Sequence, residues 1–194
     1  MLTLTHTASG CVLPAGRTVR NQTELLQAHV PGLRRFARGL LRGDREAADD
    51  LVQESLERAL SCWHQRRRGG DLRGWVYTIL YHRFVSDRHR QRLRREHASL
   101  SNLQQAEQPS VEGGQDGALA RRDLVRGLAT LSEEQRSVLL LVGVEDFSYE
   151  EAASILELPI GTVMSRLSRG RERLRQYMNG DCVPIRQREL AVPQ

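Results

Sequence analysis

Through residues 22–97 and again through 118–178, apolar residues recur at spacings of three and four, and no run alternates strictly between apolar and polar. This periodicity is the tightest constraint on the chain, because a 3.6-residue repeat lays one stripe along a helix and leaves a strand with both faces mixed. The expected fold is therefore all-α. Breaks at Gly43-Asp44 and Gly69-Gly70-Asp71 cut the first stretch into three helices, near 22–41, 45–67 and 72–95. The second stretch divides into four shorter ones, near 118–129, 133–143, 149–156 and 161–177. Two of these open with capping boxes, Ser132 to Gln135 and Ser148 to Glu151, where hydroxyl and N3 side chain satisfy each other's free backbone N–H groups. Residues 98–117 turn to Ser, Asn, Gln, Pro and Gly and read as a flexible linker; residues 1–21 and 179–194 lack periodicity and read as tails. The prediction is two small helical domains on a tether, each with a thin core whose stability leans on partners.

Several function classes fall away on composition. All 29 basic residues are arginine, against 24 acids, and the net charge of +5 suits a nucleic-acid partner. Cys11, Cys62 and Cys182 are odd in number and widely spaced, so neither a disulfide framework nor a thiolate zinc site is expected. His64, His82, His89 and His97 have no convincing ligand spacing, and no metal or cofactor is expected. With no secretory leader pattern and no run of eighteen apolar residues, the chain is expected in the cytoplasm without membrane insertion. No nucleophile with a base and no phosphate loop appears, so neither enzyme activity nor a small-molecule substrate is expected.

The stretch from Ser148 to Arg171 has the form of a helix-turn-helix: a short helix with a small residue at Ala153, a turn of about three residues, and a longer helix. On that longer helix Val163, Leu167, Gly170 and Leu174 share one face, which should pack inward. Thr162, Ser165, Arg166, Arg169 and Arg173 then lie where a major groove would run. A solvated amphipathic face is the alternative. Since residues 118–178 hold nine arginines and nine acids, DNA binding by this module alone should be weak and salt-sensitive.

In the first domain, the helix after Asp44 carries an apolar stripe from Ala48 to Trp63, opposite Asp49, Asp50, Gln53, Glu54 and Glu57. Asp44 can cap this helix, and Glu46 suits its first turn. The acidic cluster is either solvated decoration or a dock for a basic partner. The following helix interleaves Trp75, Tyr77, Tyr81 and Phe84 with basic residues, six arginines facing one acid between Arg83 and Arg95. Aromatic stacking plus phosphate neutralisation is how single-stranded DNA is held; the alternative is that Trp75, Ile79 and Phe84 are simply core.

Leu139 to Leu156, followed by Pro159 to Arg171, resembles region four of the extracytoplasmic-function (ECF) sigma factors of bacterial RNA polymerase, and Asp44 to Ala59 resembles their region two. The resemblance covers about 22–97 and 118–178. It implies a promoter-specificity subunit in which Asp49, Asp50, Gln53 and Glu54 bind core polymerase, with contacts to its largest and second-largest subunits. It also implies that Trp75, Tyr77, His82, Arg83, Arg88 and Arg90 open and read the minus-ten element, and that Thr162, Ser165, Arg166, Arg169 and Arg173 meet the minus-thirty-five element of promoter DNA. An anti-sigma factor is the partner the family implies for control. Two positions depart from the pattern: Met164 replaces a common lysine, removing a phosphate contact, and His82 stands where asparagine is usual, replacing a bidentate amide with one imidazole hydrogen bond. The rival expectation is a sigma mimic that sequesters an anti-sigma factor without binding DNA, but such a chain should have lost the arginines at 83, within 88–95, and at 166 and 169.

Overall fold

The structure is a computed structural model that describes residues 17–67, 69–98 and 117–180; the expected tails and linker otherwise lie outside the described residues. Helices follow in the order α1 (Arg17–Gln27), α2 (Val30–Leu40), α3 (Arg45–Ser61), α4 (Leu72–Ala98), α5 (Gly117–Ala129), α6 (Glu133–Gly143), α7 (Tyr149–Leu156) and α8 (Ile160–Met178), with a 3₁₀ turn at Trp63–Gln65. No strand occurs among the described residues.

Three expected boundaries are corrected, one of them the helix expected at 45–67, which ends at Ser61 before the 3₁₀ turn. The segment 17–21, read as tail, begins α1, and the single helix expected at 22–41 is two. Pro31 is the cause: its ring would meet the carbonyl of Gln27 and it has no N–H to give, so the chain stops and restarts with proline in the first turn of α2. Other ends obey their local chemistry. After α2 the backbone turns through left-handed Arg42 and Gly43 (φ 59° and 95°), and Asp44 then caps α3 by accepting from the Ala47 N–H at 3.0 Å. Asp71 does the same for α4, accepting from Arg73 and Gly74. Both capping boxes form, at Ser132 with Gln135 and at Ser148 with Glu151.

The apolar stripes go inward: Leu33, Phe36, Ala37 and Leu40 from α2, Ala48, Leu51, Val52 and Ala59 from α3, and Val76, Leu80 and Phe84 from α4. In the second module Val138 and Leu141 of α6, Ile155 of α7, and Val163 and Leu167 of α8 are buried. The two modules do not stand apart. α2 packs on α6 and α4 on α7, and the buried residues of both form one continuous apolar cluster. Two glycines of α2, seven residues apart, allow the approach. A Cβ on Gly39 would stand 2.6 Å from both methyls of Leu140, and one on Gly32 would stand 2.3 Å from the Tyr77 hydroxyl. Each thin core is thus completed by the other, which answers the need for a partner that the small modules raised.

Candidate polymerase and nucleic-acid interfaces

The helix-turn-helix is built as its residues require. α7 ends in a left-handed residue, Glu157 (φ 54°, ψ 46°), whose N–H and that of Leu158 close back on Ser154 and Ala153. Pro159 then starts α8, where its missing N–H costs nothing. Val163, Leu167 and Gly170 face inward, Gly170 letting α8 lie against Gln135 of α6. Ser165 and Arg169 are exposed, and so is Met164. Thr162, Arg166 and Arg173 are half-buried, and the Nε of Arg173 is buried without a hydrogen-bond partner among the described residues. Arg166 reaches toward the seam between the modules. Glu134 is held below the usual carboxylate range by its own backbone N–H and the Ser132 hydroxyl, with a weaker pull from Arg166.

On α3 the four expected polymerase-facing residues share one side of the helix, but their states differ. Asp49 stands 3.1 Å from Arg34 Nε and 3.8 Å from Arg38, both on α2, as ion pairs in which that oxygen accepts no hydrogen bond. Gln53 donates to Glu57, and Asp50 is exposed. Glu54 accepts from Arg83 Nε of α4 at 2.7 Å, so the acidic face and the basic helix meet there.

The expected minus-ten residues divide more sharply. Trp75 is half-buried, edge-on to Trp63 with centroids 6.0 Å apart. Tyr77, expected on the DNA-facing side, is 1 % exposed, and no base can stack on it in this arrangement. A helix turning 100° per residue carries Tyr77 into the stripe with Val76, Leu80 and Phe84. It packs edge-on to Phe147, 4.9 Å between centroids, and its hydroxyl donates to Glu145 Oε2 at 2.7 Å. Burial first, then that hydrogen bond, holds the phenol well above its ordinary pKa. The cations remain near the surface, each with a carboxylate: Arg83 with Glu54 and Asp87, and Arg90 with Asp87. Arg88 pairs with Glu133, and His82 Nε2 lies 3.3 Å from Glu157 Oε1. The last two acids belong to the second module.

Four charged residues that the sequence did not single out govern the seam. Glu145, 1 % exposed at its side chain, receives Arg35 bidentately (3.1 and 3.0 Å) as well as Tyr77. Arg73 donates to the Glu145 carbonyl and lies over the Phe147 ring at 4.0 Å. Arg136, 1 % exposed, donates to the carbonyls of Leu128, Leu131 and Leu40 at 2.8–2.9 Å. Desolvation brings its pKa down to about 10, so it stays charged at neutral pH, facing the carbonyl ends of α2 and α5. The pair Gly32 and Gly39 was the one readable sign of a close approach; nothing local marks Glu145 as buried.

Known proteins align with both halves. A family model described as Sigma-70, region 4 matches residues 121–174, and the Sigma2 domain of PhyR matches residues 26–81. An ECF RNA polymerase sigma factor, EcfG of Rhodopseudomonas palustris, is 40% identical over 147 residues, covering 76% of this chain and 79% of that protein. The ECF RNA polymerase sigma factor SigE of Mycolicibacterium smegmatis is 33% identical over 157 residues, covering 80% of this chain and 60% of its own. Among solved structures, the sigma factor RpoE in complex with the anti-sigma factor NepR from Bartonella quintana matches with a TM-score of 0.73 and 34% identity, over 84% of this chain and 99% of that one.

Proposed function

The chain belongs to the ECF RNA polymerase sigma factor family, and on that footing we propose that it binds core RNA polymerase and directs initiation at promoters with minus-ten and minus-thirty-five elements. The α3 face docks on the largest subunit, Asp50 and Gln53 first because neither is tied to an arginine, while Asp49 and Glu54 exchange their internal partners for basic residues of the polymerase. The second-largest subunit is the other polymerase partner. On α8, Ser165 and Arg169 meet the upstream duplex, flanked by Thr162, Arg166 and Arg173. On α4, Arg83, Arg88 and Arg90 hold the opened minus-ten strand, with His82 and the edge of Trp75 reading it. Tyr77 supports that helix from inside.

The observation that carries this reading is α8: Val163, Leu167 and Gly170 are consumed by the module's core, and after a left-handed turn Ser165, Ser168, Arg169 and Arg171 stand exposed, beside Ile160 and Met164. An anti-sigma factor is the regulator we expect, in the cytoplasm, supported by the match to a sigma factor solved with its NepR. The match of residues 26–81 to the Sigma2 domain of PhyR favours a second reading, a mimic that occupies an anti-sigma factor. Against it stand the retained arginines of α4 and α8 and the ECF sigma factors aligned over both modules.

The test is reconstitution of the full chain with sigma-free core polymerase on fragmented genomic DNA, with mapping of transcript starts. Starts that share two spaced upstream elements and vanish with Asp50→Ala or Arg169→Ala are expected. Binding to core or to an anti-sigma factor without any initiation would move the function to the mimic.

A further inference from the structure

Two of the expected DNA-reading residues of α4, Arg88 and His82, face acids from the chain's own second module, and the seam that brings those acids is built from more than apolar contact. Glu145 sits at the turn between α6 and α7, its carboxylate out of water. Every side chain that satisfies it comes from the other module: both nitrogens of one edge of Arg35, and the hydroxyl of Tyr77. A buried carboxylate left without donors is costly, so this residue strongly opposes undocking halfway. The glycines at 32 and 39 show the same commitment from the other side, since a larger residue at 39 would push Leu140 of α6 away and one at 32 would crowd the Tyr77 hydroxyl and the Glu145 carboxylate. Where the modules close, Glu133 pairs with Arg88 and Glu157 Oε1 stands 3.3 Å from His82 Nε2.

We propose that Glu145 in its Arg35–Tyr77 socket is a latch that holds the free chain closed and masks part of its own minus-ten surface, so that closure precedes any inhibitor. The latch itself stands on the seam geometry; its consequence for promoter opening rests on the sigma-factor reading. The solved sigma factor–NepR complex matches more of this chain than either module alone contains, yet here the closed arrangement stands on intrachain contacts. An anti-sigma factor then needs only to bind and stabilise a state already populated, and a polymerase must draw the chain out of it.

The experiment uses the full chain without any partner, as wild type, Glu145→Gln, Arg35→Gln and the double variant. Small-angle scattering reports compactness, and fluorescence anisotropy with a mixed-sequence single-stranded 12-mer reports access to α4. Circular dichroism confirms that helix content is kept. Both single variants should expand the molecule and bind the oligonucleotide about 10-fold more tightly, a shift of roughly 1.4 kcal/mol. The double variant should add little to either, because the two residues act through one contact. Arg35→Gln is decisive, since it removes a positive charge: a simple field effect would weaken DNA binding, whereas release of the latch strengthens it. Wild type already as expanded as the variants, or Arg35→Gln binding DNA more weakly than wild type, overturns the latch. If the variants open and gain affinity while no variant initiates with core polymerase, the latch stands and the sigma-factor reading falls.

Discussion

Arg136 and Glu145 are both charges buried at one seam, yet they are satisfied in opposite ways. Arg136 spends two of its three hydrogen bonds on carbonyls of its own module, at Leu128 and Leu131, and only the third crosses to Leu40. Glu145 takes all its side-chain donors from across the seam. Backbone carbonyls at helix ends exist whenever α5 and α6 are folded, so Arg136 keeps most of its partners when the modules part. The donors of Glu145 exist only when they are docked. One buried charge holds a fold together, and the other reports and enforces an arrangement of folds.

The sharpest way to break this contrast is Arg136→Met, which strips three buried carbonyls of their donor. It should cost about 3 kcal/mol in urea denaturation, with the transition still single, because the second module itself is weakened. A loss below about 1 kcal/mol would mean that the carbonyls find other donors and that Arg136 is no staple. Glu145→Ala should cost about 2 kcal/mol, less because Arg35 is half-exposed and regains water. Its signature differs in kind: tryptophan fluorescence, which sees only the first module through Trp63 and Trp75, should separate from helix content by circular dichroism. Coincident curves for this variant would erase the distinction. Gly39→Val drives a methyl toward Leu140 and should cost roughly 1–3 kcal/mol while splitting the transition as Glu145→Ala does.

Smaller effects sharpen the picture at the rim. Glu133→Ala removes the partner of Arg88, but both side chains are about one-third exposed, so about 0.5 kcal/mol is expected, vanishing in high salt. The least effect belongs to His29, between the two helices that Pro31 separates. Burial, then Arg73, lowers its pKa below the ordinary 6.5. The unfolded chain therefore binds that proton more readily, and the contribution is complete above pH 6.5 and lost as pH falls through the lowered value. Urea midpoints between pH 7.5 and 5 should show a slope that His29→Gln flattens; an unchanged slope would assign it to other groups.

Most of the fold was legible because its signals are local. Capping boxes, the Asp44 cap, the three-residue turn before α8 and the inward face of Val163, Leu167 and Gly170 all depend on neighbours within a few residues, and they stand as read. The proline break at residue 31 was equally local and was overlooked in favour of the longer apolar period. Tyr77 was misplaced for a different reason: an aromatic among arginines reads alike whether it stacks on a base or on Phe147, and only its angular position beside Val76 and Leu80 decides.

By itself the amino-acid sequence determined helices, their caps, the division into two modules and the family, since periodicity, turn chemistry and motif spacing are properties of contiguous residues. The tertiary structure alone decided which charges are paired, that each module completes the other's core, and that Glu145 is buried. Those outcomes join residues as far apart as Arg35 and Glu145, and a carboxylate in an exposed-looking turn becomes a core residue only when another module supplies its donors.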